Sequence, residues 1–327
     1  MKLPAISYQL SVVWLWAMGY GLWVAPKAVE GQGLPPYAPI NPVAASRSGL
    51  VTQPYVDPGR KWRLTVLTDY SSIIEYVAGS DVSFLLDAEV LRTQLSVTRN
   101  VGKGFLLAQA SFNGAYSGFL DGFLDWYHDL LGIHLKAREL RPKNQFAYDL
   151  ELAGSRSYHY GPSRGFVGDL RVGGGLRHST HWQSAISLTL PTGNSPAGFR
   201  RGTLSANATT TLRSTPGKAL VYEGTLSVGY TPTHGELADL QHSTFLMVTQ
   251  GLRLRIAGPL SAYGNLIYHS AYYQDTGARA LDRRELTADL GGMLRFRRGP
   301  EWIFGLTEDL EPSGPAVDVT FRLGARW

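Results

Sequence analysis

The chain has 327 residues, of which 44% are hydrophobic and 17% charged, and it contains no cysteine. Its 17 Tyr, 12 Phe and 8 Trp supply far more burial than a disordered chain carries. A helical polytopic membrane protein needs repeated apolar runs of about 20 residues, and only residues 10–25 come close. The missing cysteines remove any disulfide framework, cysteine-ligated metal or lipidated N-terminal cysteine. A net charge of +5 is too small to point to nucleic acid.

Residues 1–31 read as a signal peptide. Lys2 gives a positive start, residues 10–24 form an apolar core containing Trp14, Trp16 and Trp23, and the small residues Ala25, Ala28 and Gly31 follow as cleavage positions. An uncleaved inner-membrane anchor is the alternative, though the run is short for a span. Residues 32–59 hold Pro35, Pro36, Pro39, Pro42, Pro54 and Pro58. Proline at that density excludes a central strand or a helix interior, so the segment is extended, either a tail or a lumen plug.

Over residues 60–327 apolar and polar residues alternate in segments of about nine to fourteen residues, the length that carries a tilted strand across a bilayer. Val317, Val319, Phe321, Leu323, Ala325 and Trp327 oppose Asp318, Thr320, Arg322 and Arg326. Leu286, Ala288, Leu290, Leu294 and Phe296 oppose Glu285, Thr287, Asp289, Arg295 and Arg297, and Leu226 and Val228 oppose Glu223, Thr225 and Ser227. Phe146, Tyr148, Leu150 and Leu152 oppose Asp149 and Glu151. A dozen long segments with a charged second face require that the polar side be wet. The fold class expected is all-β, a transmembrane up-and-down antiparallel β-barrel, apolar outward and polar inward.

Connections alternate between short turns (near residues 298–299, 257–258, 214–217 and 179–180) and longer loops (274–283, 232–242, 191–202 and 155–165), the pattern of a barrel with an even strand number. Keeping that parity back to the segment 145–153 requires a strand at 133–140. The count is then fourteen, with twelve as the alternative if that stretch is loop. Trp62, Trp182, Trp302 and Trp327 fall at the short-turn, periplasmic ends, where amphipathic rings favour the interface.

Inside such a barrel the charges separate. Arg177, Arg213, Arg253, Arg255, Arg295, Arg297, Arg322 and Arg326 lie toward the periplasmic ends, whereas Asp149, Glu151, Glu223, Asp289 and Asp318 lie mid-barrel or nearer the outer side. The arrangement reads either as a positive constriction for anions or as arginines paired with carboxylates in a closed interior. Between Ser117 and Gly132 the period changes to about 3.6. Leu120, Phe123, Leu124, Tyr127 and Leu131 share one face of a short outer-loop helix, and Asp121, Asp125, His128 and Asp129 share the other. That polar face is expected to be solvated and no metal is expected; the helix packs at the barrel mouth or enters the lumen. No catalytic constellation emerges. His159 and Ser163 lie in a loop, His178, His181, His242 and His269 stand singly, and Gly173, Gly174 and Gly175 sit in a strand pattern with no phosphate-binding helix after them.

The order of several short elements resembles the domain of unknown function 3187 family of Gram-negative exported proteins. They are Asn41-Pro42, Leu86-Asp87-Ala88-Glu89, Gly118-Phe119-Leu120-Asp121-Gly122-Phe123 running to His128, Gly168-Asp169-Leu170, Leu188 to Gly193, and Thr307-Glu308-Asp309. The sequence departs from that pattern at Ala88, where glycine is usual, and at Leu131-Gly132-Ile133-His134, where Gly-Leu-Pro is commoner. The resemblance implies an outer-membrane location and brings no established activity or site residue. Asn41-Pro42 also resembles the hatch of long-chain fatty acid transporters, which are fourteen-stranded barrels. The expected role is passage or binding of a small solute, hydrophobic or anionic, at the cell outer membrane of a Gram-negative bacterium. The alternatives are a non-conducting structural or envelope-assembly barrel and a soluble periplasmic β-protein. Outer-membrane lipid and the barrel-assembly machinery are the expected partners; no nucleic acid, cofactor or enzymatic activity is expected.

Overall fold

The structure is a computed structural model, and it describes residues 33–327 apart from 80, 133–137, 139–140, 154–155, 217–218, 297 and 312–317. The expected signal peptide, most of the expected strand at 133–140, and Arg297 lie outside the described residues. Fifteen strands are described: β1 (Trp62–Ala78), β2 (Ser83–Val101), β3 (Gly104–Tyr116), β4 (Ala147–Leu152), β5 (Arg156–His159), β6 (Ser163–Val167), β7 (Leu170–Arg177), β8 (Trp182–Leu190), β9 (Ser205–Ser214), β10 (Leu220–Tyr230), β11 (Thr244–Ala257), β12 (Leu260–His269), β13 (Glu285–Arg295), β14 (Glu301–Asp309) and β15 (Val319–Arg326). The helices are α1 (Pro42–Arg47), α2 (Asp121–Leu131) and α3 (Arg279–Asp282), with one 3₁₀ turn at Ala238–Leu240.

Every ladder is antiparallel. β7 to β15 pair in sequence order, β15 closes onto β1 from Thr65↔Arg326 to Ser72↔Val319, and β1–β2, β2–β3 and β3–β7 complete the ring. The closed ring therefore has twelve strands rather than fourteen. The segment 145–153 is the reason: β4 does not span, but sits above β3 and meets the ring strands only at the loop end of β2, from Ser83↔Glu151 to Asp87↔Ala147. β5 pairs with β4, and β6 continues the line of β7 along the upper part of β3. Removing two strands from the count preserves the loop parity, so parity alone does not separate the two numbers.

The distribution of exposure is inverted relative to a water-soluble sandwich. In β13 Leu290 is 57% exposed beside fully buried Asp289, and in β15 Leu323 is 60% exposed beside Arg322 at 4%. Ile186 and Leu226 likewise stand outward between buried polar neighbours such as Ser187 and Thr225. The four tryptophans Trp62, Trp182, Trp302 and Trp327 are all exposed at the short-turn end. Gly173 and Gly175 are explained by strand packing, since a Cβ there would meet the backbone oxygens of Ile186 and Ser184. Among the described residues no helix is long and apolar enough to cross a membrane, which says nothing of strands.

β4 corrects the sequence reading in another respect. Tyr148, Leu150 and Leu152 face inward and are buried in the main apolar cluster, while Asp149 and Glu151 face out. The physical reason is position: β4 stands beyond the twelve-strand ring with its apolar outer wall, and there the apolar face turns to the interior.

Candidate functional site: a filled lumen

Residues 33–57 form a hairpin inside the ring. The chain rises from the short-turn end, where Gly33 O accepts from Arg326 (2.8 Å) and Leu34 N donates to Glu223 (3.2 Å). It turns at α1 near the loop end and returns to the base of β1. The arms are tied to each other, with Thr52 N donating to Tyr37 O (2.8 Å) and Tyr37 N to Thr52 Oγ1 (2.6 Å). The tip is helical for a local reason. The Asn41 side chain caps Val43 N at 2.9 Å and Pro42 occupies the first helical position, where its missing N–H costs nothing.

The wall grips this segment mainly through side chains that bond its backbone. Arg92 donates to Ala38 O and Pro39 O, Asn207 to Gly49 O, Gln183 to Pro54 O, and Arg177 to Val56 O, while in the opposite sense the Arg47 side chain of the tip donates to Thr231 O and His242 O of the wall. Side-chain pairs add to this: Asn41 with Glu75 (2.6 Å), Tyr37 with Glu285 (2.5 Å), Ser48 with His269 (2.7 Å) and Asp57 with Arg213 (2.5 Å). Around the tip, Ile40, Val43, Ala44 and Leu50 join Phe84, Leu86, Phe245 and Tyr272 in the main apolar cluster. Each net hydrogen bond is worth about 0.5–1.5 kcal/mol, so the set holds the segment firmly without covalent help.

Among the described residues, four of the eight arginines expected in the lumen are paired with carboxylates. Arg322 bridges Asp69 (2.7 Å) and Asp289 (3.0 Å), Arg253 and Arg326 share Glu301 (2.7 and 2.5 Å), and Arg213 lies between Asp57 and Glu223. Arg177 is spent on Asn100 and on carbonyls of Val56, Gly102 and Gly104. Arg295 is half-buried at the short-turn end, where its backbone N–H donates to Pro259 O. Arg255 is a correction: it is exposed, because a register shift between Arg255 and Ala257 ends the alternation that placed it inside. The lumen arginines that escaped the sequence reading include Arg63, which reaches Asp57 (3.8 Å), and Arg92, Arg171 and Arg201. Arg92 alternates inward with Val90 and Gln94 and was legible by that signal; Arg171 lies in an interrupted strand and Arg201 in a loop.

His159 pairs with Ser157 rather than with Ser163. Its Nε2 lies 3.0 Å from Ser157 Oγ and its Nδ1 2.8 Å from Asp149. The row has the order of a hydrolase triad, but it sits on the wet face of the β4–β5 hairpin, where water screens the fields that give such an array its force.

The family described as "Protein of unknown function (DUF3187)" matches over residues 48–327. The chain belongs to the DUF3187 family. No curated protein matches it. Among solved structures, the COG4313 outer membrane channel from Pseudomonas putida F1 is similar with a TM-score of 0.53 at 14% identity, covering 83% of this chain and 99% of that one. A Pseudomonas aeruginosa FadL homologue (TM-score 0.43, 10% identity, 88% and 92% covered) and the NanC porin (0.45, 10%, 80% and 98%) are more distant in shape. At these identities the likeness concerns the fold, an outer-membrane channel barrel.

In this DUF3187 chain three of the short family elements converge on one place, the seat of α2. The helix lies outside the ring, not in the mouth or the lumen. Leu120 and Leu124 are buried with Val319, Phe123 meets the outward ring of Phe321 at 5.9 Å, and Phe119 stacks on outward-facing Tyr70 at 5.5 Å. Glu89, on the outer face of β2, accepts from the N–H groups of Phe119 (2.8 Å) and Leu120 (2.5 Å) and from Tyr70. Asp121 and His128 were expected on a solvated face. Instead they are buried against the wall, Asp121 on Arg138 (2.7 Å) and His128 on Asp318 (3.2 Å), while Asp125 reaches Lys143. Asp318 is thus a further correction, since it leaves the lumen because it precedes the first paired residue of β15. Tyr127 completes the seat by donating to Glu308 (2.7 Å). Burial opposes the charge on Asp318, but the His128 and Arg138 donors prevail and hold its carboxyl below the ordinary aspartate range.

Proposed function

We propose that the chain is an outer-membrane channel for a small solute, hydrophobic or anionic, whose lumen is closed at rest by residues 33–57. The observation that carries this reading is the pairing of an apolar outer wall with a polar interior that is filled by a separate segment. A wall that needed only to be solid would pack its own side chains. Here the filler is held by hydrogen bonds to its backbone and side chains, which can be exchanged for water or solute one at a time, and by an apolar cluster at its tip. The membrane location rests on the exposed Leu290, Leu323, Ile186 and Leu226 and on the tryptophan ring at the short-turn end.

The density of plug contacts favours a second reading, a non-conducting envelope barrel. Proteoliposomes separate the two. Channel function predicts that the purified protein raises the influx of a small apolar or anionic solute above that of protein-free vesicles; influx equal to the protein-free control supports the structural barrel instead.

A further inference from the structure

A cavity of about 140 Å³ lies between the inner hairpin and the wall made by β2, β3, β7 and β8. Its size is on the scale of the roughly 150 Å³ engineered cavity that holds benzene. One side is apolar, formed by Pro39, Ile40, Leu50, Val90 and Phe166. The other carries Arg171, which is 4% exposed.

The charges around the cavity do not cancel at Arg171. Arg92 and Arg322 are matched by Asp69 and Asp289, and Arg201 by Asp169 at 3.2 Å. Arg171 has only neutral partners among the described residues: its Nε donates to Ser187 Oγ (2.9 Å) and its Nη1 to Gln109 Oε1 (3.1 Å). Its Nη2 makes no hydrogen bond to the described residues, yet is not among their sealed, unsatisfied polar atoms. A buried cation without a counter-charge is costly, and a guanidinium with one free edge is shaped to take a carboxylate.

We infer that this cavity binds a small monocarboxylate, its carboxylate on Arg171 and its short apolar tail against Ile40, Leu50 and Val90. One unmatched positive charge calls for a monoanion, and the apolar side calls for a tail rather than a polyhydroxylated body. The inference deepens the channel reading by naming a solute class, and so rests on it for its biological meaning.

The test is calorimetric titration of the full barrel, in a non-ionic detergent at neutral pH, with hexanoate, hexanol and hexylammonium. Hexanoate is expected to bind saturably, with hexanol and hexylammonium weaker by about tenfold or more. Arg171→Gln is expected to weaken hexanoate by a similar factor and Arg171→Lys by less. Should Arg171→Gln lose the heat-resistant gel mobility of a folded barrel, Val90→Phe replaces it; filling the apolar side is expected to weaken hexanoate while sparing acetate. Equal binding of hexanoate and hexanol, or hexanoate binding unchanged in a folded Arg171→Gln or Val90→Phe protein, overturns the site. Hexanoate binding without vesicle influx leaves the site standing and removes the channel; influx without binding does the reverse.

Discussion

Asp318 shows how a single residue can be misplaced by a correct pattern. The alternation of β15 runs from Val319 to Arg326, and extending it by one residue puts Asp318 in the lumen; the bend at its start, where Asp318 N donates to Ser72 O (3.1 Å), turns the side chain outward onto His128 and Arg138. Because the folded state holds this carboxyl below its ordinary value, its stabilisation is present above the usual aspartate range near pH 3.9. It is lost as pH falls through the depressed value. Hydrogen exchange over residues 119–131 should therefore be faster in Asp318→Asn than in the wild type at neutral pH, and the two should converge at acid pH. A difference that persists unchanged below that range would contradict the pairing. Arg322 and Asp289, by contrast, were legible as inward residues because both lie inside paired strands. Their mutual contact was not legible, since it joins β13 to β15 and depends on the ring's register.

At the scale of elements, the strands of the ring were readable wherever an apolar outer face alternates with a polar inner one. The reading failed where that condition ended. β4 shows the same period as a spanning strand, yet stands above the ring with its polarity reversed, and this is why fourteen strands became twelve. The helix period over residues 117–132 was also readable. Its docking was not, because Glu89 comes from β2, Glu308 from β14 and Asp318 from the bend before β15, and the last two lie far from the helix in sequence. Gly118 is the hinge of this arrangement: it adopts φ +74°, and a Cβ on it would overlap the Glu89 carboxyl. Gly118→Ala should free the start of α2 from Glu89 at a cost of about 1–3 kcal/mol. The expected readout is faster exchange at Phe119 and Leu120 with unchanged protection of β7 to β13; unaltered exchange at those two amides would remove the seat from the account.

For the whole molecule, the composition that resembles a soluble protein is the average of an apolar exterior and a polar, occupied interior. The membrane reading requires that Leu290 face acyl chains. Leu290→Arg is then expected to destabilise the barrel by about 2–4 kcal/mol in urea unfolding from lipid vesicles, whereas a wild-type-like midpoint would place that wall in water. The filled interior was only partly legible, since proline density marked residues 32–59 as extended without saying whether they lie inside or outside. The contacts of Asn41, Ser48 and Asp57 with wall residues decide it.

If residues 33–57 close a pathway, they must shift to open it, and the absence of native cysteine makes this directly testable. A Cβ added at Gly229 would lie 3.3 Å from Leu50 Cγ, close to where the sulfur of Leu50→Cys would sit, which suits a disulfide. In planar bilayers the Leu50→Cys, Gly229→Cys protein should be silent when oxidised and should regain wild-type current on reduction. Equal current in the oxidised and reduced states would contradict the account.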